Sequence, residues 1–187
     1  SWGKFYSREQ NGGGPLIDVG VHVLDLALWL MGYPKPVSVV GSAYCKFGNR
    51  DDVFNRFGPW NHEDYDVEDF AVAMIKLENG ATLNLECSWA LNISEDSQSI
   101  VLCGDEGGAV LHPLKVFKDD GHMLIDWEPQ GLADTNYIEM HANSVGNFID
   151  AVRGDGETIV KPEQGLYVAQ IVDAIYSSGE SGELVTI

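Results

Sequence analysis

Basic residues are scarce in this chain of 187: 11 Lys and Arg stand against 29 Asp and Glu, a net charge of -18. A phosphate backbone or an anionic bilayer surface would repel such a chain, so neither nucleic acid nor membrane is an expected partner. Cysteine is scarce as well. Cys45, Cys87 and Cys103 are odd in number, far apart and without C-x-x-C spacing, which argues against a disulfide framework or a zinc ribbon. They read as reduced core thiols within strands, as in a cytoplasmic protein. No apolar run approaches the length of a membrane span, and Ser1 opens abruptly onto Trp2, Lys4 and Tyr6 without a signal-peptide pattern. Internal repeats and low-complexity tracts are missing too, which argues against a solenoid or a disordered arm.

What is present is the composition of an ordinary globular protein. The chain is 44% apolar and long enough to bury a sizeable core, so we expect one folding unit. After three glycines, Pro15 suits a first helical position, and Leu16, Val19, Val23, Leu26, Ala27 and Leu30 recur at helical spacing up to Gly32. The spacing predicts a helix from about Pro15 to Met31. Pro36 to Phe47 reads as a strand, and the loop Gly48 to Asp66 carries Phe54, Phe57, Trp60 and Tyr65, enough aromatic surface for a lid or a subunit contact. The segments DFAVAMIKLE and ATLNLECSWALN flank Asn79 and Gly80, a pair that predicts a type I′ hairpin turn.

Four further strand-like pieces, SIVLCG, GAVLHP, LKVFKD and HMLIDW, imply a largely antiparallel sheet of six or more strands. Two helices follow, about Ile138 to Arg153, with Val145, Phe148, Ile149 and Val152 on its apolar side, and about Pro162 to Ser178. A last strand, ELVTI, is expected to rejoin the sheet. The fold class is α+β.

The stretch GGGPLIDVGVHVLD raises the chemical question. Asp18, His22 and Asp25 are spaced by four and three residues, so on a regular helix they project from one face and can share a hydrogen-bond network. A carboxylate beside an imidazole favours its protonated form and orients the ring, as a proton relay near neutral pH requires. Asp18 also suits the helix dipole, and His22 could simply tie the helix down. Alternatively, Asp18 and His22 could begin a metal site completed by His62, His112, His122 or His141, although no second paired spacing supports one and no metal is expected.

The same stretch, continued through LALWLMGYPKPVSVVG, closely resembles the start of the C-terminal domain in the Gfo/Idh/MocA family of NAD(P)-dependent oxidoreductases. EDFAVAMIKLENGATLNLECSWA resembles that family's central hairpin, and NFIDAVRGDGETIVKPEQGLYVAQIVDAIYSSGESGELV its closing helices. The resemblance covers essentially the whole chain. It implies an open, mostly antiparallel sheet with helices packed on one face, like the C-terminal domain of glyceraldehyde-3-phosphate dehydrogenase, with residues 1–187 forming one substrate-binding and oligomerisation domain of a longer enzyme. It further implies that Asp18, His22 and Asp25 are catalytic, that a sugar, polyol or related hydroxyl is the substrate, and that NAD or NADP serves the full-length protein.

The family's glycine fingerprint and Glu-Lys-Pro type lysine are not in this sequence. The Rossmann domain is thus absent from this chain, so we expect no cofactor bound to it and no turnover by it alone. Trp2, Lys4 and Arg8 are expected near the pocket mouth, and Trp89 is a further candidate substrate contact, although its strand position reads as core. The polar strand face of Thr82, Asn84, Glu86 and Ser88 suggests pairing with a second copy, as a homodimer or homotetramer. Rival readings are a non-catalytic ligand-binding or regulatory module, a metal-dependent enzyme, and an NAD-dependent glycosidase.

Overall fold

The computed structural model describes residues 4–54, 58–111, 113–130 and 136–187, so Trp2, Phe57 and His112 lie outside the described residues. The chain gathers into two compact units, residues 1–93 with 162–187 and residues 94–161. The α+β reading holds and every strand pairing is antiparallel, but the strands divide between two four-stranded sheets instead of forming one broad sheet. Alternation along a sequence identifies strands; it carries no information on which of them share hydrogen bonds.

In the first unit the short helix α1 (Arg8–Asn11) leads into α2, which opens as a π-helical turn over Leu16–Gly20 and continues as α-helix over Val21–Leu30. Strands β1 (Pro36–Tyr44), β2 (Phe70–Leu77) and β3 (Thr82–Ser88) follow, and after helix α4 (Pro162–Ser181) the strand β8 (Val185–Thr186) pairs with Ser38 and Val39. The sheet order is β3-β2-β1-β8. Helix α4 lies directly on β1. A Cβ on Gly41 would stand 3.0 Å from Ile175 Cγ2, and one on Gly179 would stand 3.2 Å from the Ala43 amide nitrogen. Leu16, Leu24, Leu28, Val39, Ile75, Ile171 and Ile175 are all at 0% exposure and form the core. Burial of side chains of this size stabilises by about 1.5–3 kcal/mol each.

By length and hydropathy the 23-residue helical stretch Arg8–Leu30, whose most apolar 18-residue window has a mean hydropathy of 1.3, is long and apolar enough to cross a membrane, against the expectation from the sequence. Its fully buried leucines are those of a core helix, and the glycines at 12–14 interrupt it.

The β2–β3 connection departs from the expected turn. Gly80 has φ 87° but Asn79 does not have positive φ, the Gly80 amide donates to the Leu77 carbonyl, and the Leu77 amide donates to the Ala81 carbonyl. This is a type I turn closed by a left-handed glycine, a three-residue hairpin. The Asn79 side chain fixes it by accepting from the Ala81 amide at 3.1 Å.

The second unit holds β4 (Ile100–Cys103), β5 (Gly108–Leu111), β6 (Lys115–Asp120) and β7 (Met123–Trp127) in sequential order, then α3 (Tyr137–Arg153). The Asn136 side chain caps α3 by accepting from the Glu139 amide, and Gly154 closes it in the left-handed region. The expected packing side of α3 is not buried: Val145, Phe148, Ile149 and Val152 are all exposed. The thiols also depart from the expectation of core burial. Cys45 is half-buried just beyond β1, Cys87 is half-buried in β3, and Cys103 is exposed at the end of β4.

Candidate active site

The geometry starts at the glycines before α2. The side chain of Glu68, only 4% exposed, accepts the Gly14 amide at 2.9 Å through Oε2, and the Leu16 amide at 3.0 Å and the Tyr176 hydroxyl at 2.9 Å through Oε1. A negative group here satisfies helix-start donors that would otherwise be orphaned and complements the helix dipole. Gly14 is required by this approach, since a Cβ there would stand 2.0 Å from the Glu68 carbonyl oxygen. Burial, then the Glu68 carboxylate, pushes the Tyr176 phenol well above its usual range. The amides at which a dinucleotide pyrophosphate would be cradled are thus already occupied by the protein's own carboxylate, and this helix start does not fit that cofactor.

Asp69, 1% exposed, anchors the neighbouring segment. Its Oδ2 accepts the amides of Lys46, Phe47 and Gly48 at 2.7, 2.6 and 3.0 Å, while Oδ1 is buried without a hydrogen-bond partner among the described residues. Burial, then Asp69, raises the Cys45 thiol above its ordinary value. The Asp69 carbonyl accepts the Trp89 amide at 3.1 Å and the Ser88 hydroxyl at 2.9 Å. This adjacent acid pair carries the helix start on one side and the end of β3 on the other. It was missed in the sequence, although two carboxylates opening the core-like run FAVAMIKL were a visible sign, because buried Asp and Glu are rare unless partnered.

The three predicted catalytic residues lie along α2, but their hydrogen bonds go elsewhere than expected. Asp18 sits inside the π-helical turn, where bonding reaches one residue further than in an α-helix, so its offset from His22 is not that of a regular helix. Gly20, in the same turn, passes close to β3: a Cβ there would stand 2.9 Å from Cys87 Sγ. Asp18 Oδ2 accepts the Trp89 indole N–H at 2.9 Å. Asp25 Oδ1 accepts the Tyr33 hydroxyl at 2.6 Å. Tyr33 reaches back because the chain reverses at the end of α2 through Gly32 (φ 80°) and Tyr33 itself (φ 53°), a left-handed conformation rare for a bulky residue. Burial, then Asp25, raises the Tyr33 phenol above its usual range. His22 is exposed and, among the described residues, hydrogen-bonds to neither carboxylate, so the shared network expected from the spacing is not closed. The helix therefore presents an accessible imidazole with an aspartate on either side along the chain, each held by its own aromatic donor.

The other predicted site residues separate. Trp89 lies beyond the end of β3 and is half-buried, so the core reading gives way to a hydrogen-bonding one. Lys4 is exposed and lines a shallow depression of about 400 Å³ with Tyr6, Glu9, Glu63 and Asp66. The Arg8 guanidinium lies 5.9 Å from the Tyr176 ring centre and 3.9 Å from Glu180, contacts with α4 and not with the Asp18, His22, Asp25 series. Within the loop from Gly48 to Asp66, the Trp60 indole donates to the Gly48 carbonyl at 2.6 Å, and Tyr65 stacks on Tyr6 at 6.4 Å. His62 lies in a short 3-10 turn of the first unit, and His122 and His141 belong to the second. Among the described residues no group of three His, Cys, Asp or Glu could hold a metal ion.

These features define an antiparallel α+β domain that carries a carboxylate and imidazole series on a core helix and keeps its glycine-rich helix start for an internal carboxylate. The chain belongs to the Gfo/Idh/MocA oxidoreductases, matching over residues 1–187 the family described as "Oxidoreductase family, C-terminal alpha/beta domain". It is 38% identical over 187 residues to the D-glucoside 3-dehydrogenase of Escherichia coli (strain K12), covering 100% of this chain and 52% of that protein. Among solved structures, levoglucosan dehydrogenase in complex with NADH superposes with a TM-score of 0.77 at 23% identity, over 100% of this chain and 53% of that one. An NAD binding oxidoreductase from Klebsiella pneumoniae gives 0.77 at 20% identity, over 100% of this chain and 54% of that one. The two structural likenesses speak to the fold. The chain spans about half the length of the curated relative it matches over its whole extent.

Proposed function

We propose that residues 1–187 act as the substrate and oligomerisation domain of an NAD- or NADP-dependent dehydrogenase that oxidises a sugar hydroxyl, with D-glucosides as the first class to test. The observation that carries this reading is the 38% identity to D-glucoside 3-dehydrogenase along the entire chain. The nicotinamide, held by the part of the enzyme outside this chain, supplies the hydride acceptor. The residues described here do the proton chemistry. His22, accessible on α2, takes the proton of the reacting hydroxyl. Asp18 and Asp25, on either side of it along α2, are the acids that assist the relay, and the proton passes on to solvent. Each carboxylate has a fixed donor, which reduces the reorganisation needed as charge develops.

A second copy is expected against the outward sheet face, where Val40 pairs with Met74 and Tyr44 stacks on Phe70 at 6.0 Å beside Asn84 and Glu86. Three free thiols fit a reducing, cytoplasmic setting.

The test is the full-length protein with NAD or NADP and a panel of D-glucosides, followed by nicotinamide absorbance. Turnover of a glucoside that is lost in a folded His22→Ala variant supports the reading. Undiminished turnover in that variant, or cofactor reduction with no glucoside at all, would sink it. The 187-residue chain alone should show no turnover, and robust activity from it would overturn the assignment of the cofactor site to the remainder of the enzyme.

A further inference from the structure

We infer that Trp89 is a positioning residue for the reaction, holding Asp18 through a single indole hydrogen bond so that the carboxylate keeps one orientation beside His22; this rests on the relay reading above. Three features of the geometry carry it. First, the contact is specific: Trp89 Nε1 donates to Asp18 Oδ2 at 2.9 Å, and Asp18 Oδ1 makes no hydrogen bond among the described residues, so one oxygen is held while the other stays available. An indole is a donor only, so the pairing cannot invert as it could with an amide or a hydroxyl.

Second, both partners are fixed to the same buried dipeptide. Glu68 grips the start of α2 through the Gly14 and Leu16 amides, just before Asp18. Asp69 grips Trp89 through its backbone, and is itself held by the Lys46, Phe47 and Gly48 amides. Neighbouring carboxylates therefore set the separation of acceptor and donor, although the two are 71 residues apart in sequence. Third, Asp18 stands in a π-helical turn, a local widening often found where a helix serves a site, and that turn lies against β3 through Gly20 and Cys87.

The experiment uses the full-length protein with NAD and methyl β-D-glucoside, in wild type and in Trp89→Phe, Trp89→His, Asp18→Asn, His22→Ala and the Asp18→Asn/Trp89→Phe double variant. Trp89→Phe keeps the ring and removes the donor. It should lower kcat by about 10- to 100-fold, the range for losing a hydrogen bond to a charged group, with KM and the unfolding midpoint little changed. Trp89→His restores a ring donor and should recover part of kcat. In the Asp18→Asn background Trp89→Phe should have little further effect, because a neutral amide no longer serves the relay whether or not the indole holds it. Equal losses in both backgrounds, or a loss that only follows the folded fraction, overturn the inference while leaving the relay intact. Turnover that survives in both His22→Ala and Asp18→Asn overturns the relay and the inference together.

An activity-independent readout is the exchange rate of the Trp89 indole proton in 15N-indole-labelled protein. We expect slow exchange in wild type and exchange about tenfold faster in Asp18→Ala, which leaves the indole without its acceptor, in line with loss of a hydrogen bond to a charged group. An unchanged rate overturns the inference even if methyl β-D-glucoside is not a substrate.

Discussion

Replacing Glu68 by alanine should be among the most damaging single changes in the first unit. The carboxylate receives two backbone amides and one phenol, at 2.9, 3.0 and 2.9 Å, in a setting 4% exposed. Removing it returns the desolvation cost of a buried acid, but it leaves the Gly14 and Leu16 amides with no partner, and the side chain left behind cannot replace one. Each unsatisfied buried donor costs about 1–3 kcal/mol, so the two amides and the partly buried phenol together set a loss of roughly 3–5 kcal/mol. Glu68→Gln keeps one acceptor oxygen and places an amide NH2 against a backbone N–H, a loss of about 1.5–3 kcal/mol. Tyr176→Phe removes only one donor and should cost about 1 kcal/mol. Urea denaturation followed by far-UV circular dichroism would rank the three variants Ala, Gln, Phe in falling severity with similar slopes. The reasoning is refuted if Glu68→Ala lies within 1 kcal/mol of wild type, or if Gln and Ala cost the same.

Gly14→Ala should abolish folding of the first unit, since its Cβ would stand 2.0 Å from the Glu68 carbonyl oxygen, whereas Gly146→Ala, with nothing within 4 Å inside α3, should stabilise by about 0.5–1 kcal/mol; thermal melts of the two distinguish a packing glycine from a merely flexible one. Burial, helped by Glu68, pushes the Cys87 thiol from 9.0 up to about 12, so the fold holds it protonated. Its contribution to stability is therefore complete below about pH 9 and is lost as pH rises towards 12, a decline that Cys87→Ala should flatten in a denaturation series against pH. Under native conditions a thiol reagent should modify the exposed Cys103 first and reach Cys87 only on unfolding. Met74→Glu, on the outward sheet face opposite Val40, should shift the full-length protein towards monomer in light scattering while leaving the Asp18 and Trp89 contact in place.

Much of the local structure was legible along the chain because its causes are local. Pro15 and the apolar spacing marked α2, alternation marked β2 and β3, and ELVTI marked a last strand that does pair with β1. The Asp18, His22, Asp25 series was visible for the same reason: their spacing is a property of one helix. The sequence did not reveal that the helix begins as a π-turn, since that depends on Gly20 approaching β3 and on Glu68 holding the helix start. Nor did it reveal the hairpin geometry, because Asn79 and Gly80 allow two turn types and the flanking ladder selects between them.

By itself, then, the amino-acid order determined the elements, the acidic surface and which side chains could do chemistry, because periodicity, charge and residue type act within a few residues. Tertiary structure alone decided the partners. It divided the strands between two sheets, exposed the apolar side of α3, paired Asp18 with Trp89 and Asp25 with Tyr33, and buried Glu68 and Asp69 as anchors. The physical reason is that a hydrogen bond across 71 residues, or a carboxylate closing a helix start 54 positions away, is set by which surfaces exclude water together. No local pattern encodes that choice.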